Sequence, residues 1–347
     1  MQALVTGATG FIGYHVARHL RQCGHAVRAL VRDPAGAARL SPLGVEWVQG
    51  DVLDPRSLEQ SVRGVDAVFH VAALYSLQAR QAKQIWAVNV EGTQNVLAAA
   101  RKAGVYRIVY TSSTATVGLR PDGRPADESE WADLRTAAGA YKRSKIAAEQ
   151  VALAEARRGL PVVVVNPTAP IGWGDLKPTP TGQLILDAVQ GRMPAYVETG
   201  LNWVAVSDVA VGHRLAFERG TPGERYILGH ENLSLQEILT RIAHLLGRSR
   251  PPWRMPYLLA VLVSLTDEFV LSPLLGKPPR APWAGVRLAR HPMYFTAAKA
   301  VRELGLPQTP VDQALAEAVY WFREEWPRWR QSAPSAGHSG ARTMPQR

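Results

Sequence analysis

The chain has 347 residues, of which 46% are hydrophobic and 20% are charged, as is ordinary for a soluble globular protein with a sizeable core. Its longest apolar run, from Tyr257 to Leu265, is shorter than the ~20 residues of a membrane-spanning helix, which excludes an integral membrane protein. The single cysteine, Cys23, excludes a disulfide framework and a cysteine-based zinc site. The start at Met1 without a basic and apolar leader predicts a cytoplasmic protein.

The net charge of +11 would suit nucleic acid, anionic lipid or a phosphate-bearing ligand. No stretch contains five basic residues together, so we interpret the net charge as arginines spread over a solvated surface. We therefore expect no nucleic-acid binding. The run from Tyr257 to Leu265 is interpreted as a buried helix, with peripheral contact to a membrane surface as the alternative. His15 and His19 have the spacing of metal ligands, but no third ligand is evident; we interpret them as surface residues and predict no metal site.

The first half of the chain alternates short apolar runs with helical patterns, which predicts βαβ units and a parallel sheet. The expected helices are Phe11–Gln22, Gln84–Lys102 and Ala138–Arg158. The expected strands are Ala3–Thr6, Ala26–Val31, Val45–Gln49, Ala67–Val71, Tyr106–Tyr110 and Pro161–Asn166. The last of these is apolar on both faces, which is typical of a strand buried between two layers of helices.

After Pro167 the alternation stops. Residues 170–181 are rich in Pro, Gly and Thr, which indicates a loop leading into a different region. Further on, the pattern predicts a strand over Trp203–Val206, a helix from Ser207, and a Ser234-capped amphipathic helix over Asn232–Gly247. Residues 311–329 are expected to be helical. Residues 331–347 contain few large side chains and are expected to be a disordered tail.

A glycine-rich turn lies between the first strand and the first helix, in the segment Thr6–Gly13. Gly7 suits a tight turn, Gly10 lets backbone amides approach a pyrophosphate, and Gly13 permits close packing of helix and sheet. The helix N-terminus then presents free N–H groups to the phosphates. This predicts a dinucleotide site formed by Gly7, Gly10, Phe11, Ile12 and Gly13.

The end of the second strand indicates which dinucleotide is bound. An NAD site usually has an acidic residue there, whereas an NADP site has an arginine nearby for the 2′-phosphate. Here Val31 stands where the acid is expected and Arg32 follows it, which favours NADP over NAD; a salt bridge from Arg32 to Asp33 or to a neighbouring helix is the alternative. The other expected cofactor contacts come after the third and fourth strands, from Asp51 and Val52 and from the small residues Ala72 and Ala73.

Tyr141 and Lys145 are four residues apart and therefore lie on one face of their helix. A cation such as Lys145 favours the phenolate and is expected to lower the pKa of Tyr141 by ~1–3 units from its usual value of about 10. The phenol could then exchange a proton with a substrate hydroxyl, and Lys145 could also bond the nicotinamide ribose. Ser113 follows the fifth strand, at the edge where open α/β sheets bind ligands, and is expected to hold the substrate oxygen against Tyr141.

Together these residues resemble the extended short-chain dehydrogenase/reductase family, in its epimerase/dehydratase branch. The resemblance covers residues 1–330 and also rests on Asn89–Asn95 and Asn166-Pro167. Within the branch, residues 141–145, 166–172, 177–182 and 193–202 are similar to hopanoid-associated sugar epimerases, themselves close to dihydroflavonol-4-reductase-like proteins. The family implies the serine–tyrosine–lysine roles argued above, Pro167 near the nicotinamide, and homodimers formed through a four-helix contact.

The resemblance also implies the domain organisation. The expected fold class is α/β, a Rossmann-type doubly wound parallel sheet with a smaller C-terminal substrate-binding domain. Residues 1–170 would form the NAD(P)-binding domain, with 202–229 returning to it. Residues 171–201 and 230–330 would form the substrate-binding region.

Two departures from the family pattern direct the functional interpretation. The dehydratases of this branch carry an Asp-Glu pair after the strand-end hydroxyl residue, where this chain has Thr114-Ala115, so dehydration is disfavoured. Arg32 suits NADP, which favours net reduction. We therefore expect an enzyme that transfers hydride between NADP and a secondary alcohol or carbonyl of a small molecule, possible substrates being sugar-like or terpenoid-linked polyols. The alternatives are a sugar epimerase acting through a transient ketone and a non-catalytic dinucleotide sensor.

Overall fold

The computed structural model describes residues 1–76, 79–248, 253–275, 283, 286 and 289–332. The strands are β1 (Gln2–Thr6), β2 (Ala26–Val31), β3 (Glu46–Gln49), β4 (Ala67–His70), β5 (Arg107–Thr111), β6 (Val162–Pro167), β7 (Ala169–Ile171), β8 (Ala195–Val197), β9 (Gly200–Ala205), β10 (Arg225–Leu228), β11 (Glu231–Ser234) and β12 (Trp253–Met255).

The helices are α1 (Phe11–Gln22), α2 (Pro34–Ala37), α3 (Pro55–Ser61), α4 (Ala82–Trp86), α5 (Gly92–Ala103), α6 (Ala140–Arg157), α7 (Pro180–Val189), α8 (Val206–Arg219), α9 (Leu235–Leu245), α10 (Tyr257–Thr266), α11 (Ser272–Leu275), α12 (Val311–Tyr320) and α13 (Trp326–Ser332). Wider π-helical turns join α4 to α5, α10 to α11 and α12 to α13, at Ala87–Glu91, Asp267–Leu271 and Trp321–Glu325, and another covers Ala300–Leu304. Short 3₁₀ turns cover Ala38–Leu43, Ala79–Gln81 and Thr114–Thr116.

The main sheet has seven parallel strands in the order β10-β6-β5-β4-β1-β2-β3. The strand order reverses direction between β1 and β4, which places a crevice for ligands at the carboxyl ends of these two strands. The doubly wound parallel sheet predicted from the sequence is confirmed, and each of the six strands expected in the first half ends within one residue of its predicted bounds.

The two faces of the sheet are covered by different helices. One apolar cluster contains Val16 of α1 and Val209 of α8, and the other contains Leu58 of α3, Val96 of α5 and Ala148 of α6. The strand β6 contributes to both, because Val163 and Val165 join the first cluster while Val162 and Val164 join the second. The interpretation of this run as a strand buried on both faces is confirmed.

Many of the residues after Pro167 form a third apolar cluster. It packs α7, α9 and α12 against the three-stranded sheet β11-β9-β7, with Trp203 and Trp321 fully buried inside it. The strands β8 and β12 pair in a separate two-stranded sheet. Ser234 caps α9 in a capping box with Glu237, as predicted, but the helix expected from Asn232 begins only at Leu235, because Asn232 and Leu233 belong to the strand β11.

The structure corrects several expectations from the sequence. The segment 170–181 is not only a loop, since it holds most of β7 and the start of α7, whose first turn is capped by the Thr179 hydroxyl. His15 is not a surface residue; it is buried and its Nε2 lies 2.9 Å from the Trp173 carbonyl oxygen. The run from Tyr257 is helical but not buried, because Leu258 is 81% exposed. Of the tail expected to be disordered, Gln331 and Ser332 end α13, and residues 333–347 lie outside the described residues.

Within the described ranges, no helix combines the length and apolar character needed to cross a membrane.

Candidate functional site

The glycine turn lies at the carboxyl end of β1 and fits a ligand that approaches the backbone closely. Gly7 has φ +73°, a left-handed conformation, and a Cβ there would lie 2.7 Å from the Ala72 nitrogen. A Cβ on Gly13 would lie 2.1 Å from the Gly7 carbonyl oxygen, so α1 can start this close to the turn only with glycine there. Gly10 is the N-cap and supplies no side-chain cap, so the N-terminal amides of α1 remain available to an anion.

Phe11 and Ile12, the two residues that open α1, are placed differently. Phe11 is buried, and its ring makes an edge-on contact with His15, with ring centroids 5.5 Å apart. Ile12 is partly buried and packs against the cluster that joins α1 to the sheet. The turn is thus anchored from its helical side.

The loop after β4 connects the glycine turn to the catalytic candidates. Thr6 of β1 lies 2.8 Å from His70 Nδ1 through its Oγ1, which also accepts a hydrogen bond from Ala72 N. His70 Nε2 lies 3.0 Å from the Thr93 hydroxyl on α5. Burial and the charge of Lys145 lower the pKa of His70 to about 3, so its ring is neutral at physiological pH. Ala72 is partly buried, whereas Ala73 is exposed.

The residues expected near the adenosine half of a cofactor lie at the ends of β2 and β3. Arg32 is exposed and forms no ion pair in the described part of the chain, and the Asp33 carboxylate instead accepts a hydrogen bond from Ala35 N. The alternative of an Arg32–Asp33 salt bridge is therefore not what the structure contains. Asp51 is partly buried and its Oδ1 accepts from Leu53 N at 2.9 Å, while Val52 is buried against Gly92.

Lys145 reaches from α6 to the end of β5. Its side chain is 2% exposed, and Nζ donates to the Thr111 carbonyl oxygen at 2.8 Å and to the Tyr110 hydroxyl at 3.3 Å. Burial lowers the pKa of Lys145 to about 8, opposed by the negative charge of Glu149. The ammonium is thus held at the carboxyl edge of the sheet, two strands from the glycine turn.

Tyr141 lies one turn before Lys145 on α6, and its ring meets the Tyr75 ring at a centroid distance of 4.5 Å. Burial raises the pKa of Tyr141, and a hydrogen bond with Ser113 opposes the rise. The lowered pKa expected from the sequence is therefore not present, because burial dominates and the Lys145 ammonium is directed at Thr111 and Tyr110. At neutral pH Tyr141 is a phenol, ready to donate a proton.

Ser113 lies directly beyond β5, where it caps the 3₁₀ turn Thr114–Thr116. Its Oγ accepts from Ala115 N at 3.1 Å, and its carbonyl oxygen accepts from the Asn166 amide at 3.1 Å. The hydrogen bond with Tyr141 that opposes the rise of the phenol's pKa places the Ser113 side chain beside Tyr141. Pro167, the last residue of β6, is buried at the same edge of the sheet.

Asn89, in the π-helical turn before α5, ties these parts together. Its Oδ1 accepts from Leu74 N at 2.7 Å and its Nδ2 donates to the Leu74 carbonyl oxygen at 3.0 Å, which fixes the loop after β4. The same Nδ2 donates to the Ser144 hydroxyl, which in turn donates to the Tyr141 carbonyl oxygen. The loop after β4 and the helix that carries Tyr141 are therefore both held by the side chain of Asn89.

A buried ionic network lies behind the triad and was not foreseen from the sequence. Glu149 pairs with Arg225, with 2.8 Å between Oε1 and Nε, and its Oε2 accepts from the Asn166 amide at 2.7 Å and from the Thr116 hydroxyl at 2.8 Å. The Arg225 guanidinium also lies over the Trp131 ring, 3.9 Å from its centroid. One signal was available, because Glu149 follows Lys145 by four residues and so shares the face of Tyr141.

The residues present fit a dinucleotide laid across this edge of the sheet. The turn offers amides and space for a pyrophosphate, and the loop after β4 leads from it to Tyr141. A Cβ on Gly7 or Gly13 would strike the protein's own backbone, so glycine at these positions lets the turn, α1 and the loop after β4 pack closely together. Across the part of the chain that the structure describes, no group of three or more His, Cys, Asp or Glu could hold a metal ion.

This fold and this edge of the sheet define a dinucleotide-dependent enzyme. The chain belongs to the NAD dependent epimerase/dehydratase family, which matches residues 3–229, and so to the extended short-chain dehydrogenases/reductases. The resemblance stated from the sequence is confirmed.

Two relatives and one solved structure illustrate the range of the family. The chain is 49% identical, over 92% of its length and 94% of the relative's, to a Synechocystis sp. protein named provisionally as a dihydroflavonol 4-reductase. It is 36% identical, over 93% and 99% of the two chains, to sterol demethylase protein B of Methylococcus capsulatus. The structure of a nucleoside-diphosphate-sugar epimerase from Pseudomonas aeruginosa is similar with a TM-score of 0.77 and 31% identity, covering 93% of this chain and 98% of that one.

Proposed function

We propose that this enzyme transfers hydride between NADP and a secondary alcohol or carbonyl carbon of a small molecule, with net reduction as the favoured direction. The observation that carries the proposal is the position of Tyr141 and Lys145 at the sheet edge that also holds the glycine turn. The raised pKa of Tyr141 supports reduction, since a phenol that keeps its proton at neutral pH can supply it to a carbonyl oxygen as that oxygen becomes an alcohol.

Each member of the triad has a distinct role in this proposal. The Ser113 hydroxyl binds the substrate oxygen and orients it towards Tyr141, whose phenol donates the proton to it. Lys145 holds the ribose next to the nicotinamide and adds positive charge where negative charge develops on the substrate oxygen. The nicotinamide, when bound, supplies the hydride. Pro167 packs near the nicotinamide ring.

We assign the cofactor to NADP on the basis of Arg32. Gly7, Gly10, Phe11, Ile12 and Gly13 form the pyrophosphate turn in this proposal. Arg32 is exposed at the end of β2 and unpaired among the described residues, which leaves its guanidinium available for a 2′-phosphate. Asp51 and Val52 would border the adenine, and Ala72 and Ala73 would line the path of the cofactor.

The proposed substrate class rests on the names of two relatives, and the proposed substrate-binding region on residues after Pro167. Residues 171–201 and 230–330 would form the substrate-binding region. Residues 1–170 and 202–229 would form the NAD(P)-binding domain. Sterol demethylase protein B is named for a polycyclic terpenoid, which supports a terpenoid-linked substrate. The nucleoside-diphosphate-sugar epimerase supports a sugar-like one and, with it, the second candidate function, epimerisation through a transient ketone.

Two measurements test the proposal. The nucleotide that co-purifies with the protein is identified by mass spectrometry, with NADP expected. Purified protein is then assayed with NADPH and a panel of terpenoid and sugar-linked ketones, following loss of the cofactor's absorbance. Net consumption of NADPH supports the reductase. Isomerised product without net cofactor change would establish the epimerase, and bound nucleotide without turnover of any tested ketone or alcohol would favour a dinucleotide sensor.

A further inference from the structure

The helix α10 presents its large apolar side chains to solvent and its small ones to the protein. Leu258 is 81% and Leu262 64% exposed, whereas Ala260 and Ser264 are buried at 4% and 0%. A helix on the surface of a soluble protein normally has the opposite arrangement, with the large apolar residues facing the core. The large apolar side chains on the outward side of α10 are therefore not packed against the rest of the protein.

The exposed apolar surface continues beyond α10. We call the apolar face the set of side chains on α10, the π-helical turn and α11 that are each at least 38% exposed, namely Leu258, Leu259, Leu262, Val263, Leu265, Phe269, Val270, Leu271 and Leu274. Monomeric soluble proteins rarely expose contiguous apolar patches larger than a few hundred Å², and larger ones mark interaction sites. A face built from this many leucine, valine and phenylalanine side chains marks such a site.

Positive charge borders the apolar face. Arg254 and Arg290 are exposed and line a cavity of about 400 Å³ together with Glu198, Pro256 and Tyr257, so both arginines lie near the first turn of α10. Arg254 is 3.6 Å from Glu198, a long ion pair that leaves its side chain 65% exposed. In the sequence, residues 248–290 hold seven Lys or Arg and two acidic residues, in a chain of net charge +11.

We propose that α10 and the turns that follow it dock onto an anionic lipid surface, with the apolar face entering the boundary between headgroups and acyl chains. Apolar residues on one side with basic residues at the margin are the features of helices that lie in the membrane interface. A nucleic acid would not fit the apolar face. A second copy of the chain on this face would give the bordering arginines no anionic partner, whereas the headgroups of an anionic lipid surface supply one.

Vesicle binding of the full-length chain tests the proposal. We expect co-sedimentation with large vesicles of phosphatidylcholine containing about 30 mol % phosphatidylglycerol, weaker binding to phosphatidylcholine alone, and partial release as salt rises from about 0.1 to about 0.5 M. The double variant L258S/L262S should bind the anionic vesicles about tenfold or more weakly. The control L119S/L245S, which replaces two leucines that are each 40% exposed elsewhere, should bind like the wild type.

A site-specific label separates insertion from loose electrostatic binding. With Cys23→Ser as background, an environment-sensitive fluorophore on Leu262→Cys should shift to the blue when anionic vesicles are added, and the same fluorophore on Leu119→Cys should not. Thermal unfolding checks that each variant is folded.

The proposal is overturned if the wild type does not bind the anionic vesicles, or if L258S/L262S binds as well as the control. It is also overturned if the wild type is a dimer in solution that L258S/L262S converts to a monomer while vesicles are not bound, because a second copy then covers the face.

Discussion

Glu149 and Arg225 form an ion pair inside the protein, with 2.8 Å between Oε1 and Nε and with side chains that are 1% and 4% exposed. Removing one partner of such a pair leaves the other charge buried and uncompensated. We expect Glu149→Gln, which keeps the shape of the side chain, to lower the free energy of unfolding by about 3–5 kcal/mol, measured by urea denaturation.

The matched control is an ion pair of similar length at the surface. Lys102 and Glu59 are 2.9 Å apart, with side chains 71% and 44% exposed. Glu59→Gln should change the free energy of unfolding by no more than about 1 kcal/mol. Equal effects of the two substitutions would contradict a special role for the buried pair.

The pairing of Glu149 with Arg225 could not be predicted from the sequence, whereas the fold could. The glycine turn, the strand sequence and the spacing of Tyr141 and Lys145 are local patterns, and the fold they predicted is confirmed. Arg225 lies far along the chain from Glu149, and only the parallel pairing of β10 with β6 brings it beneath α6. No local sequence pattern indicates that these two residues are in contact.

The prediction that α10 is buried was wrong for a different reason. A run that is apolar at nearly every position indicates a helix but carries little information on which side faces the protein, because large apolar residues lie on every side. The interpretation as a buried helix followed from composition alone. In the structure the small residues Ala260 and Ser264 decide the packing, since they allow the helix to approach closely and leave the leucines outside.

The pH dependence of the reaction should report on Lys145. Its pKa is lowered to about 8, so the ammonium loses its proton as the pH rises through that value. If the ammonium holds the ribose, cofactor affinity and kcat/KM for reduction should fall above about pH 8. The raised pKa of Tyr141 keeps the phenol protonated over this range, so Tyr141 does not set the alkaline limit.

Glu149→Gln should shift the pH profile of kcat/KM to lower pH. The Glu149 carboxylate raises the pKa of Lys145, so its removal should move the alkaline decline to lower pH. A purely structural role for Glu149 would lower the amount of active enzyme without moving the profile. The profile is recorded from kcat/KM at a series of pH values in which the variant remains folded.

Replacement of the phenol tests its role as proton donor. Tyr141→Phe should retain NADP affinity, because the ring and its contact with Tyr75 remain, and should lose about 10²–10⁴ in kcat. Cofactor affinity is measured by fluorescence titration and kcat by NADPH consumption. Tyr75→Phe is the control, with turnover near that of the wild type. Wild-type activity in Tyr141→Phe would refute the assignment.

The choice between NADP and NAD depends on Arg32 in our proposal. Arg32→Asp removes the cation that faces the 2′-phosphate and adds a carboxylate suited to a free ribose hydroxyl. Affinity for NADPH should fall by about 10- to 100-fold, the contribution of a hydrogen bond to a charged group, and preference should move towards NADH. Arg135→Asp, at a side chain that is 95% exposed and far from Arg32 along the chain, is the control. If both cofactors bind Arg32→Asp as they bind the wild type, the 2′-phosphate is held elsewhere.

His213 should make the protein less stable in mild acid. It is fully buried, with Nδ1 2.7 Å from the Val209 carbonyl oxygen and Nε2 2.8 Å from the Thr111 hydroxyl, so the neutral ring donates at Nδ1 and accepts at Nε2. Burial lowers the pKa of His213 from its usual 6.5 to about 4 in the folded chain. Its contribution is therefore complete above pH 6.5 and is lost as the pH falls towards 4.

By pH 5 this loss amounts to about 2 kcal/mol of unfolding free energy. In His213→Gln, the drop in stability between pH 7 and pH 5 should be smaller than in the wild type by about that amount, because glutamine does not titrate. Urea denaturation at both pH values measures it, with the exposed His244→Gln as control. An unchanged drop in His213→Gln would mean that the buried ring is not protonated when the chain unfolds in this range.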